Sequence, residues 1–240
     1  MMEIRARFDQ ERQRSERVPT DMKKILITMI ALGAAASANA QSPEAVMDRA
    51  VKAYASLNSV RAEFRQSITN PITGTNSTSR GVLLRKDPNL LSINFSDPKG
   101  DRIVSDGQSL WIYLPSSAPG QVIKTSAKAN NALAMVDPGG AFLSSPAARY
   151  TMSGAGTATI DGRKMNVVNL VPKKSNGMFT RATVWVDVAS DYIRQFEVTD
   201  ANGLKRVVTI TSIQPNASVA ASEFRFTPSK NIRILDSETF

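Results

Sequence analysis

The sequence predicts a mainly β protein with a minor α component, and three observations carry that expectation. Between Val60 and Thr227 there are about a dozen short runs in which apolar and polar residues alternate with a period of two. Asp106-Gly107, Asp161-Gly162 and Asn202-Gly203, pairs that favour tight hairpins, separate several of them. Helical spacing is confined to the start of the domain and to one Ala-rich interruption at 127–148. Sequential antiparallel strands in that number imply one large curved sheet, a barrel or a sandwich. A composition of 42% hydrophobic and 21% charged residues belongs to a globular chain rather than a disordered one.

The first forty residues stand apart. Residues 22–40 read MKKILITMIALGAAASANA: Lys23 and Lys24 form a positive opening, Ile25 to Ala36 an apolar core, and Ala38-Asn39-Ala40 a cleavage signal. This is the pattern of a secretory signal peptide cleaved after Ala40, and its apolar run is short for a membrane span. Residues 1–21 are charged and aperiodic, as expected of a disordered leader or of a start codon assigned too early, with Met22 as the true first residue. Residues 41–240 are then expected to form a single domain with its own core.

Residues 1–40 hold seven Lys/Arg and five Asp/Glu, which leaves a formal net charge of +7 on residues 41–240. In an exported protein that charge suits anionic membrane surfaces or acidic partners before nucleic acid. The chain has no cysteine, so the fold needs no disulfide. Gln41 stands where a bacterial lipoprotein would need a lipidated cysteine. The protein is expected free in the periplasm, as a monomer.

Ser42-Pro43-Glu44 is a helix start, with a capping hydroxyl, proline in the first turn and an acid near the positive end of the helix. Val46, Met47, Ala50, Val51, Tyr54 and Leu57 follow at helical spacing. Strands are expected at 60–68, 81–86, 90–95, 101–105, 108–114 and 121–125. A second group is expected at 149–153, 157–160, 164–171, 179–188, 192–199, 204–213 and 224–227. Between the two groups, AKANNALAMV at 127–136 and PGGAFLSSPAA at 138–148 read as two short helices laid over one side of the sheet.

Several chemistries are missing. With no His and no Cys, the chain lacks the usual metal ligands, the serine–histidine triad and thiol catalysis. It has no glycine-rich phosphate loop. Its carboxylates gather at turns, where capping explains them better than acid–base work. Asp161, Asp187 and Asp191 are the candidates for an oxygen-ligand metal site, and turn chemistry accounts for them as well. Trp111 and Tyr113 sit among Leu and Ile rather than among Lys and Arg, unlike the stacking platforms of nucleic-acid binders. No enzyme, no metal, no cofactor and no nucleic acid are expected.

DGQSLWIYLP at 106–115 is greasy on both faces: Leu110, Ile112 and Leu114 point one way, Trp111 and Tyr113 the other. A central strand in a two-sided core would look like this. So would a strand with one face packed and the other lining a cavity.

The stretch, followed by Gln121-Val122, resembles the outer-membrane lipoprotein carrier proteins (LolA), whose signature is an Asp-Gly turn followed by Leu-Trp-x-Tyr-x-Pro. Phe64-x-Gln66, then Gly81 and Pro88-Asn89-Leu90, and finally Phe224-Arg225-Phe226-Thr227-Pro228 match the family in order. The resemblance covers Gln41 to Leu235. It implies an unclosed antiparallel β-barrel, a half-barrel, with an N-terminal helix and a short helical lid over an apolar cavity. The cavity would take acyl chains of lipoproteins released by an ABC-type transporter of the inner membrane, for delivery to the outer membrane and its receptor. On this reading β-strand 106–115 has its convex face on the N-terminal helix or another cover, and its concave face on the cavity. A lipid- or lipoprotein-sensing regulatory module on the same scaffold is the alternative; such sensors carry a further domain, and this chain stops at Phe240.

Choosing one parity per strand assigns Leu83, Leu91, Ile93, Phe95, Ile103, Leu110 and Ile112 to the cavity; a register slip of one would swap the faces. Leu133, Met135, Val136, Phe142 and Leu143 are the lid candidates. The family commonly has an arginine just before the proline of the second strand that bonds the lid shut. Here Asp87 occupies that position, and Arg85, two residues earlier on the same face, is the substitute candidate latch. Because a chain of about fifteen methylenes costs on the order of 12 kcal/mol to expose to water, a releasable carrier should keep its empty cavity filled with its own lid.

Overall fold

The protein is described by a computed structural model over residues 41–86, 88–128, 132–175 and 179–236. Helix α1, Pro43–Ala55, begins as its sequence dictates: the Ser42 hydroxyl accepts a hydrogen bond from the Ala45 amide at 3.1 Å. Twelve strands follow, β1 (Ser59–Thr69), β2 (Asn76–Lys86), β3 (Leu90–Asp97), β4 (Lys99–Asp106), β5 (Ser109–Tyr113) and β6 (Gln121–Ser126), then β7 (Tyr150–Ile160), β8 (Arg163–Pro172), β9 (Arg181–Asp187), β10 (Ile193–Thr199), β11 (Lys205–Pro215) and β12 (Arg233–Asp236). Between β6 and β7 lie α2 (Ala132–Val136), α3 (Pro138–Phe142) and α4 (Pro146–Arg149).

All twelve strands belong to one sheet in the order β12-β6-β5-β4-β3-β2-β1-β11-β10-β9-β8-β7. Its two edges, β12 and β7, do not meet, so this is the unclosed half-barrel. The hairpin turns carry the chemistry read from the sequence: Asp161 and Gly162 both hold positive φ, 48° and 76°, as the turn between β7 and β8 demands.

Four expectations need correction. The runs 149–153 and 157–160 are one strand, β7, with a register shift between Gly154 and Thr157. Phe224–Thr227 is no strand; a 3-10 turn, Ala221–Phe224, runs into irregular backbone, and the last strand is β12 instead. β12 pairs with β6 in parallel, so the sheet is not wholly antiparallel. Among the described residues the interruption holds three short helices, not two, because Ser145 takes a left-handed conformation (φ 49°) that breaks the second one.

The core lies on one face. Paired residues such as Leu83 with Ile93, Ile93 with Ile103, and Phe196 with Val184 point to the same side. There they join Val46, Met47 and Ala50 of α1 and Phe142 of α3 in one cluster. Helix α1 therefore covers the inner face, against β7, β8 and β9, and not the outer face of β5. The outer cover of β5 is the C-terminal segment: the Phe226 ring lies 5.7 Å from Trp111 and 5.4 Å from Tyr113, and the adjoining 3-10 turn packs on β3 and β4.

Candidate functional site

On the inner face the sheet and the short helices enclose a mostly apolar cavity. Its walls come from Val60, Ala62 and Phe64 of β1, Leu83 of β2, Ile93 and Phe95 of β3, Ile103 of β4, Ile193 and Phe196 of β10, and Val208, Ile210 and Ile213 of β11. Gly81 lets this wall close up. A Cβ at that position would overlap the Asn94 carbonyl oxygen, and the register shifts just before it. Over this bare stretch Phe64 and Phe95 meet edge to face at 5.6 Å.

The parity chosen from sequence places all seven cavity candidates on the inner face. Leu83, Ile93, Phe95 and Ile103 line the cavity. Leu110 and Ile112 belong to the same core without reaching it, and Leu91 lines the adjoining recess at the mouth. Sequence reasoning missed the contribution of β1, β10 and β11. Phe64 and Phe196 sit at alternating positions that carried the signal, but nothing in the text said those strands close around the same space.

Helices α2 and α3 form the roof, while α4 packs on β7 and α1. Val136 and Leu143 face the cavity, together with Pro138, Gly139 and Gly140. Phe142 is completely buried and anchors the roof by edge-to-face contacts with Phe196 at 5.6 Å, Phe179 at 5.7 Å and Tyr150 at 6.2 Å. Leu133 faces the neighbouring recess. The side chain of Met135 and all of Asp87 lie outside the described residues. The two glycines matter for closeness: a Cβ at 139 would stand 3.0 Å from the Phe196 ring, and one at 140 would overlap the Arg85 guanidinium.

Arg85 points to the inner face, opposite Val60 and Leu91. Its Nε lies 3.3 Å from Oδ2 of Asp137, whose side chain is 10% exposed against 37% for Arg85. The other oxygen of Asp137 accepts the Gly140 amide at 3.1 Å and so caps α3. One carboxylate thus ties the roof helix to the sheet. A second cation lines the same cavity: Arg206 of β11, whose Nε donates to Gln66 Oε1 at 2.8 Å, while Gln66 Nε2 donates to Ser79 Oγ at 3.0 Å. Burial pushes the Arg206 guanidinium below its ordinary pKa, against the pull of the Asp137 charge. Burial likewise pushes the Tyr54 hydroxyl well up, in spite of Arg85 nearby.

The enclosed space measures only about 70 Å³. At about 10–15 Å³ for each water-sized sphere, it holds about five of them, far less than an acyl chain of fifteen carbons needs.

The acidic residues considered for a metal are dispersed among ion pairs. Asp187 is held by Arg163 at 3.4 Å and Arg194 at 3.5 Å, Asp191 by Arg49 at 3.0 Å, and Asp161 by Arg65 at 3.5 Å.

The model of the family described as "Outer membrane lipoprotein carrier protein LolA" matches residues 55–227. An outer-membrane lipoprotein carrier protein of Serratia proteamaculans (strain 568) is 30% identical over 220 residues, which cover 90% of this chain and 98% of the relative. One from Pectobacterium carotovorum subsp. carotovorum (strain PC1) is 28% identical, covering 75% of this chain and 82% of its own length. Among solved structures, an uncharacterized conserved protein from Thermus thermophilus superposes with a TM-score of 0.53 at 10% identity, over 82% of this chain and 99% of that one. A family model covering well over half the residues and a relative at this identity over nearly the full length decide the matter: the chain belongs to the outer-membrane lipoprotein carrier (LolA) family.

Proposed function

We propose that this protein is a periplasmic carrier of lipoproteins. It holds their acyl chains in the cavity between the sheet and helices α2 and α3, taking them from an ABC-type transporter of the inner membrane and handing them to a receptor at the outer membrane. Residues 22–40 act as the export signal, cleaved after Ala40, and Gln41–Phe240, which cluster as one compact unit, are the working monomer. The protein needs no cofactor and catalyses no reaction.

One observation carries the reading: an apolar cavity roofed by short helices, lined by Val136 and Leu143 among others, with only about 70 Å³ left free. Burying a methylene is worth about 0.8 kcal/mol, so an empty cavity of acyl-chain size would hold its cargo too tightly to deliver it. Exchanging roof contacts for cargo contacts lowers the net gain to a level that permits release. Arg85 and Asp137 are the latch of the closed state.

Native mass spectrometry of the protein purified from its host periplasm tests this. A carrier retains lipoprotein or acyl-chain mass, and the variant Arg85→Leu, whose roof fails to close and expel the cargo, retains more of it. Protein that comes off cleanly at its apo mass, and takes up no acylated peptide when mixed with one, would overturn the proposal.

A further inference from the structure

Arg85, Asp137 and Gly140 line both the apolar cavity and the polar recess beside it, which measures about 350 Å³. The ion pair of Arg85 with Asp137, at 3.3 Å, is thus part of the partition between the two spaces. The recess gathers cations: Arg85 and Lys86 from the end of β2, and Arg149 from the end of α4. Asp137 is the one carboxylate among its described lining residues, and Arg85 already holds it. Lys86 and Arg149 therefore bring two positive charges to the recess that no second lining carboxylate balances. Arg149 is also fixed in place. Its guanidinium donates to the Ala141 carbonyl at 3.4 Å and lies 5.7 Å from the centre of the Tyr150 ring, while its backbone carbonyl accepts the Lys173 amide at 2.9 Å. Asn89 and Ser144 add uncharged polar groups to the same walls. An apolar space and a net positive space that share a wall have the form of a site for an amphiphile with an anionic head.

We propose that this recess, lined by Lys86 and Arg149, is a head-group site for phosphate-headed lipids whose hydrocarbon tail lies in the adjoining cavity. The inference rests on the carrier reading for the tail and adds a second class of cargo, phospholipids, to it. Parting Arg85 from Asp137 opens the partition and joins the two spaces, so that one molecule can occupy both. Lys86 and Arg149 belong to neither α2 nor α3, and their charges remain beside the opening when those helices lift. A phosphate carries several acceptor oxygens around one centre, so it can accept from an ammonium and a guanidinium at the same time. The double charge of a phosphate monoester matches the two lining cations that no carboxylate balances. A cationic head would be repelled by them.

The experiment is displacement of a fluorescent alkyl probe from the purified protein at pH 8, below micelle-forming concentrations. Dodecyl phosphate, dodecanol and dodecyltrimethylammonium are compared, with inorganic phosphate as a separate competitor. Charge-assisted hydrogen bonds gained only by the phosphate predict that dodecyl phosphate competes at least about tenfold better than dodecanol, and the ammonium worst of the three. Lys86→Gln, a change at an exposed side chain, should reduce the ratio of phosphate to alcohol, and Lys86→Gln with Arg149→Gln should bring it close to one. Inorganic phosphate, lacking a tail, should erode the advantage of dodecyl phosphate only at about a hundredfold higher concentration or more. Equal competition by phosphate and alcohol, or a preference for the ammonium, overturns the inference and leaves the carrier reading standing. So does a preference for phosphate that survives whole in the double variant. Inorganic phosphate that cancels the advantage at the concentration of dodecyl phosphate itself marks a site for the free ion and overturns the lipid assignment. Failure of all three amphiphiles to displace the probe overturns both readings. The comparison within the unaltered protein, together with Lys86→Gln, decides the matter even if Arg149→Gln does not fold.

Discussion

Gly140 lies so close to Arg85 that a single methyl group at 140 would overlap the guanidinium. The roof helix and the sheet therefore meet backbone against cation, without an intervening side chain. Gly140→Ala should make the Arg85 guanidinium and the Asp137 carboxylate swing aside, loosening the contact between roof and sheet and weakening the closed state by about 1 kcal/mol. Increased binding of an apolar dye by the cargo-free protein, with a lowered melting temperature, would show it; unchanged dye binding would remove the close-approach argument.

Arg85→Leu approaches the same contact from the other side. It leaves the nearly buried Asp137 without its nearest cation at 3.3 Å, at a cost of about 1–3 kcal/mol to the closed state. Lid closure and cargo release should both be impaired. A variant that delivers lipoprotein as well as the original protein would rule out the latch.

Phe142→Ala should be the most damaging change in the roof. It deletes a completely buried ring that touches Phe196, Phe179 and Tyr150. The expected loss is about 3–5 kcal/mol, which for a domain of this size corresponds to a fall in Tm on the order of 10 °C. Calorimetry would measure it directly.

Acid stability should depend on Asp187, at the end of β9. Burial pushes its carboxyl up, but the Ala189 amide at 2.8 Å and the guanidiniums of Arg194 and Arg163 outweigh that and hold it below the ordinary carboxylate value. A carboxylate with a lowered folded-state pKa stabilises the protein above its unfolded pKa of about 4, and this contribution disappears as the pH falls through the folded value. Asp187→Asn should lose about 3–5 kcal/mol at pH 7, because Arg194 stays buried without its counter-charge. The variant's stability should also fall less steeply below about pH 4. Urea titrations of both proteins at pH 7 and pH 3 would compare the two slopes.

The strand parity was legible because alternation is a local property: Leu91, Ile93 and Phe95 declare a face without any knowledge of the sheet. The start of α1 was legible for the same reason, since Ser42 and Pro43 act within one turn. What stayed hidden depends on where distant segments go. Trp111 and Tyr113 announced a covered outer face, but not that Phe226, far along the chain, would cover it while α1 went to the inner face. Arg206 was overlooked because Lys205-Arg206 looks like an ordinary solvated strand start; only the pairing with Ile68 and Val198 turns the second of the two inward. Asp137 read as a spacer between two helices, although its position before Pro138-Gly139-Gly140 was a helix-cap signal.

The small volume beneath α2 and α3 has an outward consequence. On the proposed carrier reading, a long fatty tail needs more than the roughly 70 Å³ left free there, so Val136 and Leu143 must give up their present seats to admit it. Occupancy inside and concealment of those two side chains exclude each other, so a full molecule and an empty one must wear different coats. An acceptor that greets only the greasier coat would tell laden carriers from vacant ones by touch, with no separate signal needed.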